Sequence, residues 1–517
     1  MPGVKIKYHI SLLICLLVLQ HAKSQFFNLP SEYFSSLLTE RELAKKENVL
    51  HNGMKPYIHF FSQKYLQVCD SHRVYKYIHE DPGVDFFFYN PLVTIAPKNE
   101  ALRIRIDPIV NFEKGKDFSD SIDKKFYINT RGLQVAGSLG SQVYFETMFA
   151  ENQAWFPNYI YNAANKLKVV PGQGHFKNFK TYAYDYAFAS GFVSVQATKN
   201  FNIQVGHGKQ KVGNGYRSLL LSDNAFNYPY ARFTESFFNR KLQYTSIYAV
   251  LMNFTPAAKK QTYGIEPLLQ KKAAAFQYLS FLPNKYLQFS LFQGLIWQAG
   301  DDRNRQHLKW SYFSPLIYQA AAVYGLNNQN NVLVGGDMKL KLSDQLNFYY
   351  QVMADDLSNT DSLGNGYGQQ VGCNYFDAFG VKHLFLQVEY NYISEGSYRN
   401  VPGAISDQSF SHYNQNLANA FGCGQELILI GDYKFHRFNI NLKYNYQVVQ
   451  NHHKPHYHNG ILNGRFSYTI NTAYNFTASL GITYRSQNFT NFKNLNNETT
   501  YVYVGLKTNL YNFYYDF

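Results

Sequence analysis

The stretch RFNINLKYNYQVV, Arg437–Val449, alternates between apolar and polar residues. Phe438, Ile440 and Leu442 share one parity with two tyrosines and a valine, while asparagine, lysine and glutamine hold the other. Because successive side chains of a β-strand point to opposite faces, this pattern predicts a strand with one apolar and one polar face. An apolar outer face around a polar interior is typical of a transmembrane β-barrel.

Similar alternation recurs from residue 101 onward, and with weaker candidates included we predict about eighteen strands. The chain ends on alternating aromatic residues, which predicts a closing strand with an aromatic carboxyl terminus. These terminal residues are Tyr511, Phe513, Tyr515 and Phe517. The clearest runs are Phe126–Ser138, Gln142–Glu151, Leu242–Phe254, Tyr286–Trp297, Asn331–Leu342, Gln345–Asp355, His383–Ile393, Arg465–Ala473, Phe476–Arg485 and Thr499–Leu510.

The connections between these runs alternate between short and long. Outer-membrane barrels have short periplasmic turns and long extracellular loops, so we predict an all-β transmembrane antiparallel β-barrel over residues 101–517. Short turns are predicted at Leu139-Gly140, Lys199-Asn200, Asn239–Lys241, Pro283–Lys285, Ser343-Asp344, Gly380–Lys382, Phe435-His436 and Tyr474-Asn475. Long connections are predicted at Asn152–Thr181, His207–Tyr230, Thr255–Ala274, Gln298–Asn330, Ser394–Gly424 and Gln450–Gly460.

The composition favours the same fold. The chain contains 45 tyrosines and 43 phenylalanines among 517 residues, and 18% of it is aromatic. Transmembrane barrels carry aromatic girdles at both membrane interfaces, whereas a soluble domain has no need of so many tyrosines.

The amino terminus predicts export. Lys5 and Lys7 precede the apolar run Ile10–Leu19, and Ala22-Lys23-Ser24 is a small-x-small cleavage pattern, so residues 1–24 are predicted to be a signal peptide. Residues 25–100 are predicted to form a short periplasmic leader or plug segment with one helix, over Leu29–Lys46. We expect the barrel in a Gram-negative outer membrane, with its loops extracellular and this segment periplasmic.

Export also constrains partners and cysteines. Removal of three lysines and no acids lowers the formal charge from +14 to +11, which suggests lipopolysaccharide phosphate or an acidic polysaccharide as partner. A basic surface that merely keeps the protein soluble or touches anionic headgroups is the alternative, and export excludes nucleic acid. Cys69, Cys373 and Cys423 remain, which is no disulfide framework, although one bridge is possible.

The loop GHGKQKVGNGYRSLLLSDNAFNYPYARF, Gly206–Phe233, is too long for a turn and too ordered in composition for a linker. Its apolar triplet Leu219–Leu221 is expected to fold back onto the barrel. Aromatic rings stack on sugars while polar groups bind hydroxyls or carboxylates, so a ligand surface is predicted here and in FSHYNQ, Phe410–Gln415. The alternative is that these residues plug the barrel. The candidate ligand-binding residues are Lys209, Tyr216, Arg217, Asp223, Asn224, Tyr228, His412 and Asn414.

No catalytic, metal or cofactor motif emerges. His207, Ser222 and Asp223 share the loop, but proximity in sequence does not establish a catalytic hydrogen-bond chain. The histidines of HHKPHYH, His452–His458, fit no tetrahedral metal spacing well. We therefore expect no enzymatic activity, no metal and no cofactor.

Four stretches resemble the RemB-type outer-membrane proteins associated with gliding motility in Bacteroidetes, which are themselves similar to the Wzi capsule-assembly barrels. They are LHNGMKPY (Leu50–Tyr57), the Gly206–Phe233 loop, WSYFSPLIYQAA (Trp310–Ala321) and FSHYNQNLANAFG (Phe410–Gly422). The chain departs from that pattern at Asn416–Ala420. The resemblance implies an outer-membrane barrel of about eighteen strands with a leader packed near its periplasmic mouth.

The function implied is a non-enzymatic surface barrel, associated with gliding motility or binding a capsule or exopolysaccharide, with possible partners in the adhesion machinery. Long loops folded into a plugged lumen, with Arg217 and Asp223 facing a sugar-sized cleft, would be its signature. The alternative is a porin-like transport channel for anionic or small solutes, because a barrel this wide can enclose a pore.

Overall fold

The computed structural model of the chain is a closed β-barrel with a partly filled lumen. It describes residues 32–57, 87–97, 102–120, 124–140, 142–256, 269–299, 310–324, 326, 330–355, 365–399, 407–449, 456–508 and 511–517. The predicted signal peptide, Cys69 and much of the predicted leader lie outside the described residues.

Eighteen long strands form the barrel wall, each antiparallel to the next, which confirms the predicted fold. Strand β18 closes the barrel by pairing with β1, which joins Tyr501 to Asp117 and Lys507 to Asn111. The strands are β1 Leu102–Asp117, β2 Phe126–Leu139, β3 Val143–Trp155, β4 Ala183–Gln196, β5 Phe201–Gly208, β6 Tyr228–Phe237, β7 Leu242–Pro256, β8 Leu269–Phe281, β9 Leu287–Gln298, β10 Asn331–Lys341, β11 Leu346–Ala354, β12 Tyr367–Phe376, β13 Leu384–Ile393, β14 Gly424–Phe435, β15 Phe438–Val449, β16 Tyr457–Asn471, β17 Phe476–Phe489 and β18 Asn497–Lys507.

Short turns and long connections segregate to opposite ends of the barrel, as the sequence predicts. Strands β2 and β3, and then every second pair up to β16 and β17, are joined by turns of two to seven residues. We call this the tight-turn end and its opposite the long-loop end. The main errors are in strand boundaries, because β8 begins at Leu269, inside the predicted connection Thr255–Ala274.

The two faces of the wall differ in polarity. On β15, Phe438, Ile440 and Leu442 are exposed on the outside, whereas Asn441 and Asn445 are buried on the inside. A closed barrel leaves no unpaired strand edge, and an apolar outer face suits contact with lipid. The alternation in the sequence therefore predicts which side chains lie on the outer face of the barrel and which point into the lumen.

In the described ranges, three α-helices lie between or before the wall strands: α1 Tyr33–Ala44, α2 Asn158–Leu167 and α3 Gln319–Tyr324. Within the described part of the chain, none of the helices is both long and apolar enough to cross a membrane. Short 3-10 turns occupy Trp310–Phe313, Ala378–Gly380 and Lys493–Leu495. Two short strands pair with the wall, Val93–Ile95 with β1 and Lys177–Phe179 with β4. The other short strands form two-stranded sheets, Met54–Lys55 with Lys211–Val212 and Ser411–His412 with Gln415–Asn416.

Helix α1 lies at the tight-turn end of the lumen. The predicted start, Leu29, lies outside the described residues. The described helix begins at Tyr33, where the Glu32 side chain accepts a hydrogen bond from the Ser35 amide at 2.7 Å. Arg41 pairs with Asp377 of the turn between β12 and β13 at 2.6 Å. At the other end of α1, the Lys341 Nζ donates to the Leu43 carbonyl at 2.8 Å. A cation at a helix carboxyl terminus is stabilised by the helix dipole.

The carboxyl-terminal segment corrects one prediction. Strand β18 ends at Lys507, and residues 511–517, here called the lumenal tail, form no strand but turn into the lumen. The first residues of β1 pair with Val93–Ile95 and not with the carboxyl-terminal segment. The tail carries Asp516, whose carboxylate is buried beside two cations inside the barrel, a position that a lipid-facing strand does not provide.

Candidate functional site

Residues 209–227, between β5 and β6, fold into the lumen and are here called the plug loop. Leu219, Leu220 and Leu221 are completely buried, which confirms that the triplet folds back onto the barrel. They pack in an apolar cluster with inward residues of β7 to β13, among them Ile247 and Phe292. Burial of each leucine stabilises the plug by roughly 2 kcal/mol.

Inward polar side chains of the wall bind the backbone of the plug loop. Glu389 accepts hydrogen bonds from the amides of Tyr216 at 2.6 Å and Arg217 at 3.0 Å. Gln351 accepts one from the Leu219 amide at 2.6 Å. An irregular buried loop needs such partners, because unpaired backbone groups are costly away from water. The polar inner face of these strands therefore holds the plug in place.

The leader also contributes to the plug. Met54–Lys55 pairs antiparallel with Lys211–Val212, and the Gly213 amide donates to the Gly53 carbonyl at 2.6 Å. A Cβ on Gly53 would lie 1.9 Å from the Tyr278 hydroxyl, so any larger residue here would displace the buried Tyr278 side chain. FSHYNQNLANAFG, Phe410–Gly422, joins the same cluster through a lumenal hairpin. Three of the four stretches that carry the sequence resemblance thus meet in the lumen.

Arg217 links the plug loop to the wall and the lumenal tail. Its Nη2 lies 2.8 Å from the Glu426 Oε1, and its Nη1 lies 3.0 Å from the Asp516 Oδ1. Lys443 approaches the other oxygen of Asp516 at 2.5 Å. Burial alone lowers the pKa of Arg217, but the carboxylates of Asp516 and Glu426 outweigh it and hold the pKa above its ordinary value.

Asp223 joins the plug loop to the lumenal tail a second time. It accepts hydrogen bonds from the Tyr514 hydroxyl and from Asn512, both at 2.7 Å. Burial raises the pKa of Asp223, but the cations of Lys211 and Lys209 and these hydrogen bonds outweigh it, so the pKa lies below its ordinary value. Burial lowers the pKa of Lys209 to about 8, opposed by Asp223.

The other predicted ligand residues are also engaged within the protein. His412 lies between the Met252 amide at 3.0 Å and the Asn227 carbonyl at 3.1 Å, and burial lowers the pKa of His412 to about 3. Asn224 donates to the Asn416 carbonyl at 2.9 Å. Tyr228 is buried in the apolar cluster, whereas the exposed Asn414 donates to the Leu167 carbonyl at 3.1 Å.

The remainder of the lumen holds a cavity of about 870 Å³. Its walls are β14 to β18, β1 to β6, helix α1 and the lumenal tail, and it reaches the tight-turn end at Tyr474 and His436. Of the predicted ligand residues, Lys209 and Tyr216 line this cavity, whereas the other six do not. The expected placement of Arg217 and Asp223 on a cleft is therefore not what the structure shows.

The cavity contains aromatic and basic side chains that the sequence reasoning missed. Tyr501 and Tyr503 stack with ring centres 5.6 Å apart on β18. Arg465 lies with its guanidinium 5.5 Å from the Phe34 ring centre, and its buried Nε has no hydrogen-bond partner among the described residues. Lys507 lines the same cavity. The alternation in the sequence places the strand residues among these on the inner face of the barrel. Only the pairing of the strands shows that they lie close together.

The three residues considered for hydrolysis do not form a catalytic chain. The Ser222 hydroxyl lies 3.4 Å from Asp223, but the His207 Nδ1 faces the Ala189 carbonyl at 3.2 Å. Among the described histidines of the 452–458 run, His458 contacts the Tyr446 hydroxyl at 3.0 Å. No group of three or more potential metal ligands occurs in the part of the chain that the structure describes.

The fold is similar to solved outer-membrane barrels. Wzi of Escherichia coli, described as an outer membrane protein involved in group 1 capsule assembly and a carbohydrate-binding β-barrel, superposes with a TM-score of 0.57 at 12% identity. The match covers 94% of this chain and 100% of that chain. At this identity the likeness establishes the eighteen-stranded barrel fold.

Two further structures match more loosely. OccAB2 of Acinetobacter baumannii has a TM-score of 0.45 at 10% identity, with 78% of this chain and 97% of that chain covered. OprD of Pseudomonas aeruginosa has a TM-score of 0.42 at 10% identity, with 79% and 96% covered. No protein-family model and no curated protein sequence matches the chain.

Proposed function

We propose that this chain is a non-enzymatic outer-membrane β-barrel that binds a surface polysaccharide. Exposed aliphatic and aromatic side chains surround a closed wall of eighteen strands, which supports location in a membrane. Following the usual arrangement of such barrels, the long loops are extracellular and α1 is periplasmic.

The lumenal cavity is the observation that carries the proposed binding function. Half-buried Tyr503 offers a ring face to the apolar side of a sugar, and buried Tyr501 stacks beside it and supports that ring. Asn463 and Arg465 on β16 offer donors to hydroxyls or carboxylates. A volume of about 870 Å³ admits several sugar rings. The carbohydrate binding described for Wzi is in keeping with this choice.

The predicted ligand residues then have two roles. Lys209 and Tyr216 contact the ligand from the cavity wall, and Arg217, Asp223, Asn224, Tyr228 and His412 hold the plug loop behind them. Asn414 is exposed at the long-loop end and remains a predicted contact for polysaccharide outside the lumen. Attachment of capsule or exopolysaccharide, or a contribution to gliding motility, is the physiological role that the sequence resemblance suggests.

The test is motility and polysaccharide retention in a deletion strain rescued with defined variants. Wild type should restore both, whereas Tyr501→Ala/Tyr503→Ala should fail. Tyr444→Ala/Tyr484→Ala, which removes two exposed tyrosines from the outer face, is the matched control. Heat-modifiable gel mobility verifies that each barrel has folded. If the inner pair rescues as well as wild type, the cavity is not the binding site.

A transport channel for anionic solutes is the competing function, because the cavity reaches the tight-turn end and has basic walls. Planar-bilayer conductance separates the two functions. A plugged polysaccharide-binding barrel should show no conductance steps. Steady conductance in wild type, together with reduced uptake of small anions in the deletion strain, would favour the channel.

A further inference from the structure

An apolar groove of about 620 Å³ runs along the outside of the barrel across β16, β17, β18, β1 and β2. We call it the seam groove, because it crosses the closure of β18 on β1. Its lining includes Phe112, Leu506, Ala478 and Tyr468. The register places Phe112 beside Leu506, Leu506 beside Ala478 and Ala478 beside Tyr468. Ala478 is the small residue between larger neighbours, so it forms the floor.

Lysines lie at the end of this groove nearer the long loops. A second depression of about 320 Å³ shares Lys114 and Val504 with the seam groove and is also lined by Lys116, Lys124 and Lys125. Lys124 pairs with Asp120 at 2.8 Å, and the Lys116 Nζ lies 5.8 Å from the Phe118 ring centre. The side chains of Lys114 and Lys116 are exposed on the outer face of β1. The groove and the lysines therefore form one continuous surface.

The outer parity of β1 changes from apolar to basic at this point. Every second residue from Leu102 to Phe112 is apolar, and the next two residues of that parity are Lys114 and Lys116. Two residues along a strand cover about 7 Å, so the first ammonium group lies directly beyond the apolar groove. Such a boundary matches the level at which acyl chains meet phosphate headgroups.

We propose that the seam groove and its lysines bind one phosphate-bearing, multi-acylated lipid of the outer leaflet, chemically of the lipid A type. Acyl chains fill the groove over Ala478, and Lys114 and Lys116 pair with the phosphates. The charge complementarity selects an anionic lipid over a zwitterionic one. This inference requires the membrane location proposed above but does not depend on polysaccharide binding.

Lipid retention tests the proposal. The purified barrel is reconstituted in phosphatidylcholine nanodiscs that contain lipid A, transferred to mild detergent and examined by native mass spectrometry. Wild type should retain lipid A in preference to phosphatidylcholine. Lys114→Gln/Lys116→Gln should weaken retention about twenty-five-fold, at roughly five-fold for each lysine. Ala478→Phe should also reduce retention, because the ring fills the groove floor.

Matched controls separate this site from general surface charge. Lys177→Gln/Lys271→Gln removes two other exposed lysines at the long-loop end and should leave retention unchanged. Dephosphorylated lipid A should be retained no better than phosphatidylcholine. Equal retention by wild type and the Lys114/Lys116 variant, or by phosphorylated and dephosphorylated lipid, would overturn the proposal. Either result would leave the lumenal polysaccharide site untouched, since that site lies inside the barrel.

Discussion

The two halves of the lumen have similar walls but different contents. Beside β7 to β13, the plug loop, the leader and the hairpin of Phe410–Gly422 pack into a continuous apolar cluster. Beside β14 to β18 and β1 to β6, the same alternation of inward polar residues surrounds a cavity of about 870 Å³. Helix α1 and the lumenal tail line the cavity, together with Lys209 and Tyr216 of the plug loop.

This difference shows that an inward polar residue has two possible uses. In the plug half, Gln351 and Glu389 bind backbone amides of the plug loop, so their polarity stabilises the fold. In the cavity half, Arg465 and Lys507 face open space and remain available to a ligand. We therefore expect substitutions in the plug half to cost stability and those in the cavity half to cost binding.

The largest expected effect comes from Arg217→Met. It leaves the carboxylates of Glu426 and Asp516 buried without their guanidinium, which should lower the free energy of unfolding by roughly 3–5 kcal/mol. Arg103→Met is the counterpart in the cavity half, where the side chain is exposed, and should change stability by less than about 0.5 kcal/mol. Denaturant unfolding in detergent measures both free energies. Similar losses for the two variants would contradict the expected difference between the plug half and the cavity half.

Replacing a leucine by alanine should give the next largest loss of stability, and the loss should depend on the half of the lumen. Leu220→Ala empties a fully buried position in the plug and should lower the free energy of unfolding by roughly 2–5 kcal/mol. Leu38→Ala, on the cavity side of α1, removes a partly exposed side chain and should cost about 1 kcal/mol. Thermal unfolding of the purified variants checks this, and a larger loss for Leu38→Ala would contradict it.

Acid sensitivity should be the smallest effect when it is expressed per unit of pH, and it should belong to the plug half. Burial lowers the pKa of His51 to about 4 and that of His412 to about 3. Because the unfolded chain binds these protons from about pH 6.5 downward while the folded chain does not, stability falls as pH falls from 6.5 toward 4. Each histidine contributes up to about 1.4 kcal/mol per pH unit in that window.

The measurement is the free energy of unfolding between pH 7 and pH 4. His51→Gln and His412→Gln should each reduce the slope with pH. His436→Gln, at the exposed mouth of the cavity, is the control, and its free energy of unfolding should change with pH as that of wild type does. An unchanged slope in both plug variants would show that these histidines do not govern the acid response.

The fold was largely predictable, and the binding cavity was not. Alternation along Arg437–Val449 and the rhythm of short and long connections led to the eighteen-stranded barrel, because each depends only on neighbouring residues. The burial of Leu219–Leu221 followed from their apolarity. The strand ends were predicted less well. The loop is predicted to begin at Gly206, but β5 continues to Gly208, because glycine adopts strand and loop conformations equally readily.

The ligand residues show where local reasoning ends. Arg217 and Asp223 have the chemistry of a sugar site, yet the structure places them against Glu426 and the lumenal tail. These partners are 209 to 299 positions away in the sequence, and no local pattern identifies them. Tyr501 and Arg465 are not among the predicted ligand residues, although the alternation in the sequence places both on the inner face of the barrel.

The sequence by itself determined which face of each strand points outward, how many strands close the barrel and that the plug loop must bury its leucines. Those properties follow from residue type and period, which act over a few positions along the chain. Tertiary structure decided which half of the lumen is filled and that the aromatic terminus turns inward. The reason is that each inward polar group takes a partner according to the barrel register, and that register brings distant residues within hydrogen-bonding distance.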